Sequence, residues 1–135
     1  DNGITVSVIT GTTSQGTSGP VTQPLTEPLY LDVSLPAGAE FTEALPPEHN
    51  AFVYVIQGTV NLTDASAESI TLQRDDLGIL AHGEHVSLIA GNEATRFLLV
   101  AGKPLNEPVA RGGPFVMNTR AEVQQAMDDY AAGKL

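Results

Sequence analysis

The sequence predicts an all-β domain, a sandwich or barrel of short strands with one α-helix at the end of the chain. Three observations point there. Thirteen glycines and nine prolines cut the chain into short segments. Within those segments apolar and polar residues alternate with period two, the pattern of a half-buried strand. The stretch with helical spacing comes last, after Thr119. At 135 residues the chain fits one domain with a core of its own.

Taken in order, ITVSVIT (residues 4–10) sets Ile4, Val6 and Val8 on one face. GTTSQGTSGPVTQP (11–24) is rich in Gly, Ser and Thr and reads as a mobile surface loop, or as a lid over a barrel mouth. LYLDVSL (29–35) points Leu29, Leu31, Val33 and Leu35 one way and Tyr30, Asp32 and Ser34 the other. Further strands are expected over 51–57, 59–63, 69–72, 77–81, 85–90 and 95–101. GKPLNEPVARGGPFVMN (102–118) holds no sustained period and three prolines, so an extended strap is expected. Thr119 followed three residues later by Glu122 is a capping box, which starts a helix at Arg120 within about two residues. Val123, Met127 and Tyr130 then share a face, with Ala126 beside them, and Gly133 supplies the stop. The expected division is a barrel over 1–103 and a strap and helix over 104–135, in the same domain and packed on the barrel or on a partner.

Sixteen acidic against six basic residues give a net charge of −10, which repels nucleic-acid phosphates and anionic membranes. The acids are scattered, with only Asp75-Asp76 and Asp128-Asp129 adjacent, as suits a solvated surface. No cysteine is present, so disulfides, thiolate nucleophiles and zinc-thiolate sites are excluded. FLLVA (97–101) falls far short of the roughly 20 apolar residues of a membrane helix. With no secretory pattern at the start, the expected location is the cytoplasm. A chain beginning on Asp1 rather than Met is expected to be a piece of a longer protein.

The chemistry rests on three histidines. PPEHNAFVYVIQG (46–58) places His49 ahead of a strand that Gly58 closes, and AHGEHV (81–86) holds His82 and His85. Two imidazoles two apart on a strand face one side and can share a metal. Here Ala51 stands two residues beyond His49, and Val53 and Tyr54 occupy the region where an acid would complete the set. On an extended strand His82 and His85 face opposite sides, although a turn at Gly83 would relax that. The pattern argues against a metal centre; an improvised one would draw on His49, His82 and His85, with Glu48 and Glu84 nearby. Asp75-Asp76 reads as turn chemistry. There is no Gly-x-Ser-x-Gly elbow, P-loop or dinucleotide fingerprint.

The order of strands, with a Gly-bounded strand pair, a hairpin and a second pair, resembles a cupin, a double-stranded β-helix or jelly-roll barrel. Metal-binding cupins carry H-x-H with a following Glu, then P-x-G and a further His. In this sequence Ala81-His82-Gly83 stands in place of P-x-G and Val86 in place of that last His, with His85 one position off. The tail LLVAGKPLNEPVARGGPFVMNTRAEVQQAMDDYAAGKL (98–135) resembles the end of a pirin, and PLYLDVSLPAGAEF (28–41) and HNAFVYVIQGTV (49–60) extend the likeness. Pirins are bicupins of about twice this length. The resemblance therefore implies a C-terminal cupin with a strap and terminal helix, without metal. The family's iron site of three histidines and a glutamate lies in the N-terminal cupin. Some pirins resemble quercetin 2,3-dioxygenases; others act as redox-sensitive partners of transcription factors or metabolic enzymes.

Two readings follow. One is a metal-free structural and interaction module whose partner is the N-terminal cupin, a second copy, or a metabolic or regulatory protein. Its contact residues would be Pro104, Pro108, Pro114, Phe115, Met117, Val123, Met127 and Tyr130. The other is an iron-dependent dioxygenase with a barrel pocket lined by Phe52, Tyr54 and Leu88.

Overall fold

The computed structural model describes residues 3–63 and 69–134. It divides into two compact units, one ending at Pro104 and the other starting at Leu105. The first holds nine strands: β1 (Thr5–Thr10), β2 (Leu29–Leu35), β3 (Glu40–Ala44), β4 (Asn50–Gln57), β5 (Thr59–Thr63), β6 (Ser69–Gln73), β7 (Leu77–Leu80), β8 (His85–Ala90) and β9 (Thr95–Gly102). They form a five-stranded sheet in the order β1-β2-β9-β4-β7 and a four-stranded sheet in the order β3-β8-β5-β6. All pairings within these sheets are antiparallel.

Period two builds the core. Leu31, Val33, Val53, Val55, Phe97 and Leu99 point inward from the larger sheet and are fully buried. Phe41, Val60, Val86, Leu88 and Ala90 meet them from the smaller one. Phe41 and Phe97 lie 6.1 Å apart between ring centroids, tilted by 59°. Each such side chain contributes about 1.5–3 kcal/mol by leaving water, so these inner rows fix the register of the sheets.

Strand β3 does not appear among the strands expected from the sequence. Its inward positions are Phe41 and Glu43, and a carboxylate at a core position breaks the apolar alternation that would have disclosed it. The turn into β5 falls at Gly58, where φ is +75° and an added Cβ would lie 2.5 Å from Thr95 Oγ1. Both the backbone angle and the space there require glycine.

The second unit differs from the extended strap expected of it. Ala110–Gly112 (β10) and Phe115–Met117 (β11) pair as a hairpin. Its two turn residues are Gly113, at φ +55°, and Pro114. Helix α1 (Arg120–Ala131) follows the capping box: Glu122 N donates to Thr119 Oγ1 and Thr119 N donates to Glu122 Oε2. The helix lies on the hairpin so closely that a Cβ on Gly112 would come within 2.6 Å of Val123 Cγ1. Val123 and Ala126 are buried, and Phe115 meets Tyr130 edge-on at 6.1 Å. The apolar stripe thus meets the hairpin of its own unit at Gly112 and Phe115. Among the described residues no helix is long and apolar enough to cross a membrane.

On the outer face of β2 and β9, Arg96 forks onto Asp32, its Nε 2.9 Å from Oδ1 and its Nη2 2.6 Å from Oδ2. Those donated bonds, with the guanidinium charge, outweigh desolvation and hold the Asp32 carboxyl below its ordinary range. A lowered acid contributes stability that is complete above the ordinary carboxylate pKa of about 3.9 and is lost as pH falls through the lowered value. Asp32→Asn should therefore be less stable than the parent at neutral pH. The gap, measured by urea unfolding, should close as pH drops from about 5 towards about 2.

Candidate functional site

At one end of the sandwich, where β1 and β3 finish and β2 and β4 begin, lies a cavity of about 500 Å³. Its walls combine carbon surface from Leu29, Ala44 and Pro46 with polar groups from Thr10, Glu27 and His49. The 11–24 segment forms one side. That segment, expected as a loop or a lid, is tied down by short-range bonds: Gly16 N to Thr13 O at 2.8 Å, Thr13 N to Thr17 O at 2.9 Å and Gly19 N to Gly11 O at 2.9 Å. Val21 bridges to Thr10, whose Oγ1 donates to Val21 O at 2.6 Å. Gly19 crosses β1 so closely that a Cβ would sit 2.8 Å from the Ile9 carbonyl.

Glu43 anchors the tip of the same segment. Its residue is only 3% exposed, and Oε1 accepts from Ser14 N at 2.5 Å. Sequence reasoning missed this acid. The available signal was the alternation of EFTEAL, which is strand-like once Glu43 is allowed a core position with a backbone donor to satisfy it.

His49 is 7% exposed. It sits in the turn before β4, where its N donates to Pro46 O at 3.0 Å, and it borders the cavity. Its Nε2 is buried without a hydrogen-bond partner, and Glu27 Oε2, at 3.8 Å, stands beyond bonding distance. His82 lies in the connection between β7 and β8, exposed, with Nδ1 2.9 Å from Pro47 O. The strand-parity argument does not reach it, because it belongs to no strand. His85 opens β8 on the solvent side, opposite Ala44 and next to the inward Val86. Glu48 and Glu84 are exposed. Among the described residues no three His, Asp or Glu side chains gather as a metal-binding group. The donor set does not fit the iron centre known for cupins: one imidazole faces inward, Ala51 offers no ligand beside it, and the other two imidazoles face water.

The residues expected to line a barrel pocket lie elsewhere. Phe52 and Tyr54 alternate with inward Ala51, Val53 and Val55, so they face outward, and Leu88 is fully buried in the packed core. Tyr54 donates to Asp75 Oδ1 at 3.3 Å, and Asp76 Oδ2 accepts from Gln73 N at 2.8 Å, so the acid pair serves the β6–β7 turn. Of the expected contact residues in the second unit, Val123 is buried, Phe115, Met117 and Met127 are half-buried, and Pro108, Pro114 and Tyr130 are exposed; Pro104, half-buried, ends the first unit. Leu105, Val109 and Val116, which the sequence reading did not single out, are more than half exposed.

A family model, the pirin C-terminal cupin domain, matches residues 30–135. A pirin-like protein of Caulobacter vibrioides is 40% identical over 135 residues, covering 99% of this chain and 46% of the relative. Pirin of Homo sapiens is 35% identical, covering 98% and 45%. The chain thus spans under half the length of these relatives. Among solved structures, quercetin 2,3-dioxygenase from Acinetobacter baumannii superposes with a TM-score of 0.84 at 35% identity, over 99% of this chain and 44% of that one.

Glu43→Ala should release the 11–24 segment. Losing a charged acceptor for a backbone amide costs about 1–3 kcal/mol. Hydrogen exchange should show the Ser14 amide losing protection ahead of the core strands, while Glu43→Gln, which keeps an acceptor, retains most of it.

Proposed function

The chain belongs to the pirin family, as its C-terminal cupin domain, and from that premise we propose that it works without metal as a structural and interaction module. The observation that carries this reading is the dispersal of its imidazoles. His49 faces inward alone while His82 and His85 face solvent, and a metal that is to keep open positions needs about three convergent protein ligands. In this reading the module supports an N-terminal cupin that holds the iron, and any quercetin 2,3-dioxygenase chemistry of a full-length relative belongs to that other half. The setting is the cytoplasm.

The contact residues in this proposal are the exposed apolar side chains of the second unit. Leu105 is 56% exposed, Val116 58%, Tyr130 67% and Val109 75%. Apolar side chains this exposed on a short unit favour burial against a partner surface. The net charge of −10 disfavours nucleic acid and anionic lipid as that partner. A second copy of the chain is the other partner this surface suits.

Ferrous iron added without oxygen, followed by removal of free metal and elemental analysis, should leave far less than one iron per chain. In the same preparation, sedimentation should detect association with the separately produced part of the Caulobacter vibrioides relative that this chain does not cover. Val116→Glu with Tyr130→Glu should weaken that association at least about tenfold, or about 1.4 kcal/mol. Stoichiometric iron that disappears in His49→Ala would sink the metal-free reading. Association that ignores the two glutamates would sink the assigned surface.

A further inference from the structure

We propose that the cavity beside His49 is a binding site for a small molecule with an apolar body and a hydrogen-bond-donating head, which His49 and Glu27 receive together without a metal. The first observation is the orphaned nitrogen. His49 Nε2 is buried and makes no hydrogen bond in a residue 93% removed from solvent. Buried polar atoms are nearly always satisfied, so an exception points to a partner that binds there.

The second observation is independent of the first. Glu27 holds φ at +43°, in the left-handed region that glutamate rarely adopts. Strain of this kind gathers at ligand sites, where surrounding structure holds a side chain in a place it would not choose. What the conformation achieves is to put Glu27 Oε2 3.8 Å from His49 Nε2 at the cavity wall. That separation is too long for the two to bond each other. A small group admitted between them by a shift of the exposed Glu27 side chain would bond both at about 2.8 Å. A hydroxyl can donate to the carboxylate while it accepts from a protonated Nε2, and a protonated amine can donate both to the carboxylate and to an unprotonated Nε2.

The remaining walls narrow the ligand further. About 500 Å³ falls within the usual range for small-molecule sites. Leu29, Pro24, Pro28 and Pro46 offer carbon surface to an apolar body. Several other polar groups of the wall are already engaged: Thr10 with the Val21 carbonyl, Thr12 with Ser18 at 2.8 Å, and the Gln23 amide oxygen with Leu25 N at 3.0 Å. No lysine or arginine lines the cavity among the described residues, and the chain's net charge is −10. An anion finds no counter-charge there.

Three probes that differ in the head group test this on the full chain: phenol, protonated benzylamine and benzoate. The readout is the long-range proton–nitrogen spectrum of the histidine rings, with the His49 signals assigned by their loss in His49→Gln. Phenol or benzylamine should shift the His49 ring saturably, and benzoate should not. Saturation by phenol alone identifies a hydroxyl head. Saturation by benzylamine, weakened at least about tenfold in Glu27→Gln, identifies an amine. Glu27→Gly, which relieves the backbone, should raise Tm while abolishing the response, an outcome a purely structural Glu27 would not give. The proposal is overturned if neither donor probe saturates, if benzoate binds as well as they do, or if Glu27→Gly responds like the parent. Glu27 is largely exposed, so its variants keep the test valid even if His49→Gln fails to fold.

Discussion

The structure of the first unit depends on β9. It is hydrogen-bonded on both sides, to β2 from Leu29↔Ala101 through Leu35↔Thr95 and to β4 from Asn50↔Gly102 through Gln57↔Arg96. Its alternate side chains Phe97, Leu99 and Ala101 fill the space between the sheets. A slip of one residue would turn that row to water and put Arg96, Leu98 and Val100 in the core. The cost would be several kcal/mol from Phe97 and Leu99 alone, at about 1.5–3 each, apart from the fork between Arg96 and Asp32. One register therefore wins, and it decides every neighbouring position. His49 is buried in the turn that leads into β4, the strand that β9 holds in place.

How much of this could be read from the sequence follows from where the two faces of a strand differ in polarity. LYLDVSL alternates apolar with Tyr30, Asp32 and Ser34, so β2 and its inward side are unambiguous. AFVYVIQ is apolar on both faces, and nothing in it states that the smaller Ala51, Val53 and Val55 go inside while Phe52 and Tyr54 go out. That choice belongs to the packing against β9 and the opposite sheet, which is why the aromatic pair was expected in a pocket and stands outside. β3 was hidden by Glu43. The acid is tolerated inside because the chain brings Ser14 N to it from 29 residues away, a contact no local pattern contains.

In the second unit the helix was legible from its capping box and its i, i+4, i+7 spacing, local signals that do not wait for tertiary context. The hairpin before it was not, though a cue stood in the sequence. Gly113-Pro114 puts a residue free to take positive φ ahead of one fixed near −65°, the order that a two-residue turn with glycine first requires. Three prolines nearby suggested an extended strap, and strands of three residues each are too short to show alternation. Once the hairpin forms, the bare Gly112 gives the helix a close bed on the side of Val123 and Met127.

The candidate site combines a legible half with an illegible one. His49 is visible in the sequence as the histidine that opens an apolar strand, and the absence of a second imidazole at position 51 already separates it from a metal pair. Glu27 carries no such signal: it sits among turn residues, and only the folded chain reveals its positive φ and its approach to Nε2. The energetics join the two. An unsatisfied buried acceptor or donor costs about 1–3 kcal/mol, and a strained non-glycine residue about 1–3 kcal/mol more. At 3.8 Å the carboxylate does not close the hydrogen bond that would offset either cost, and with its side chain 60% exposed it is solvated enough that attraction to a charged imidazole would be screened. Two destabilising features that face each other across a cavity wall, and that a single hydrogen-bonding group could satisfy together, describe a site built for something other than the stability of the chain.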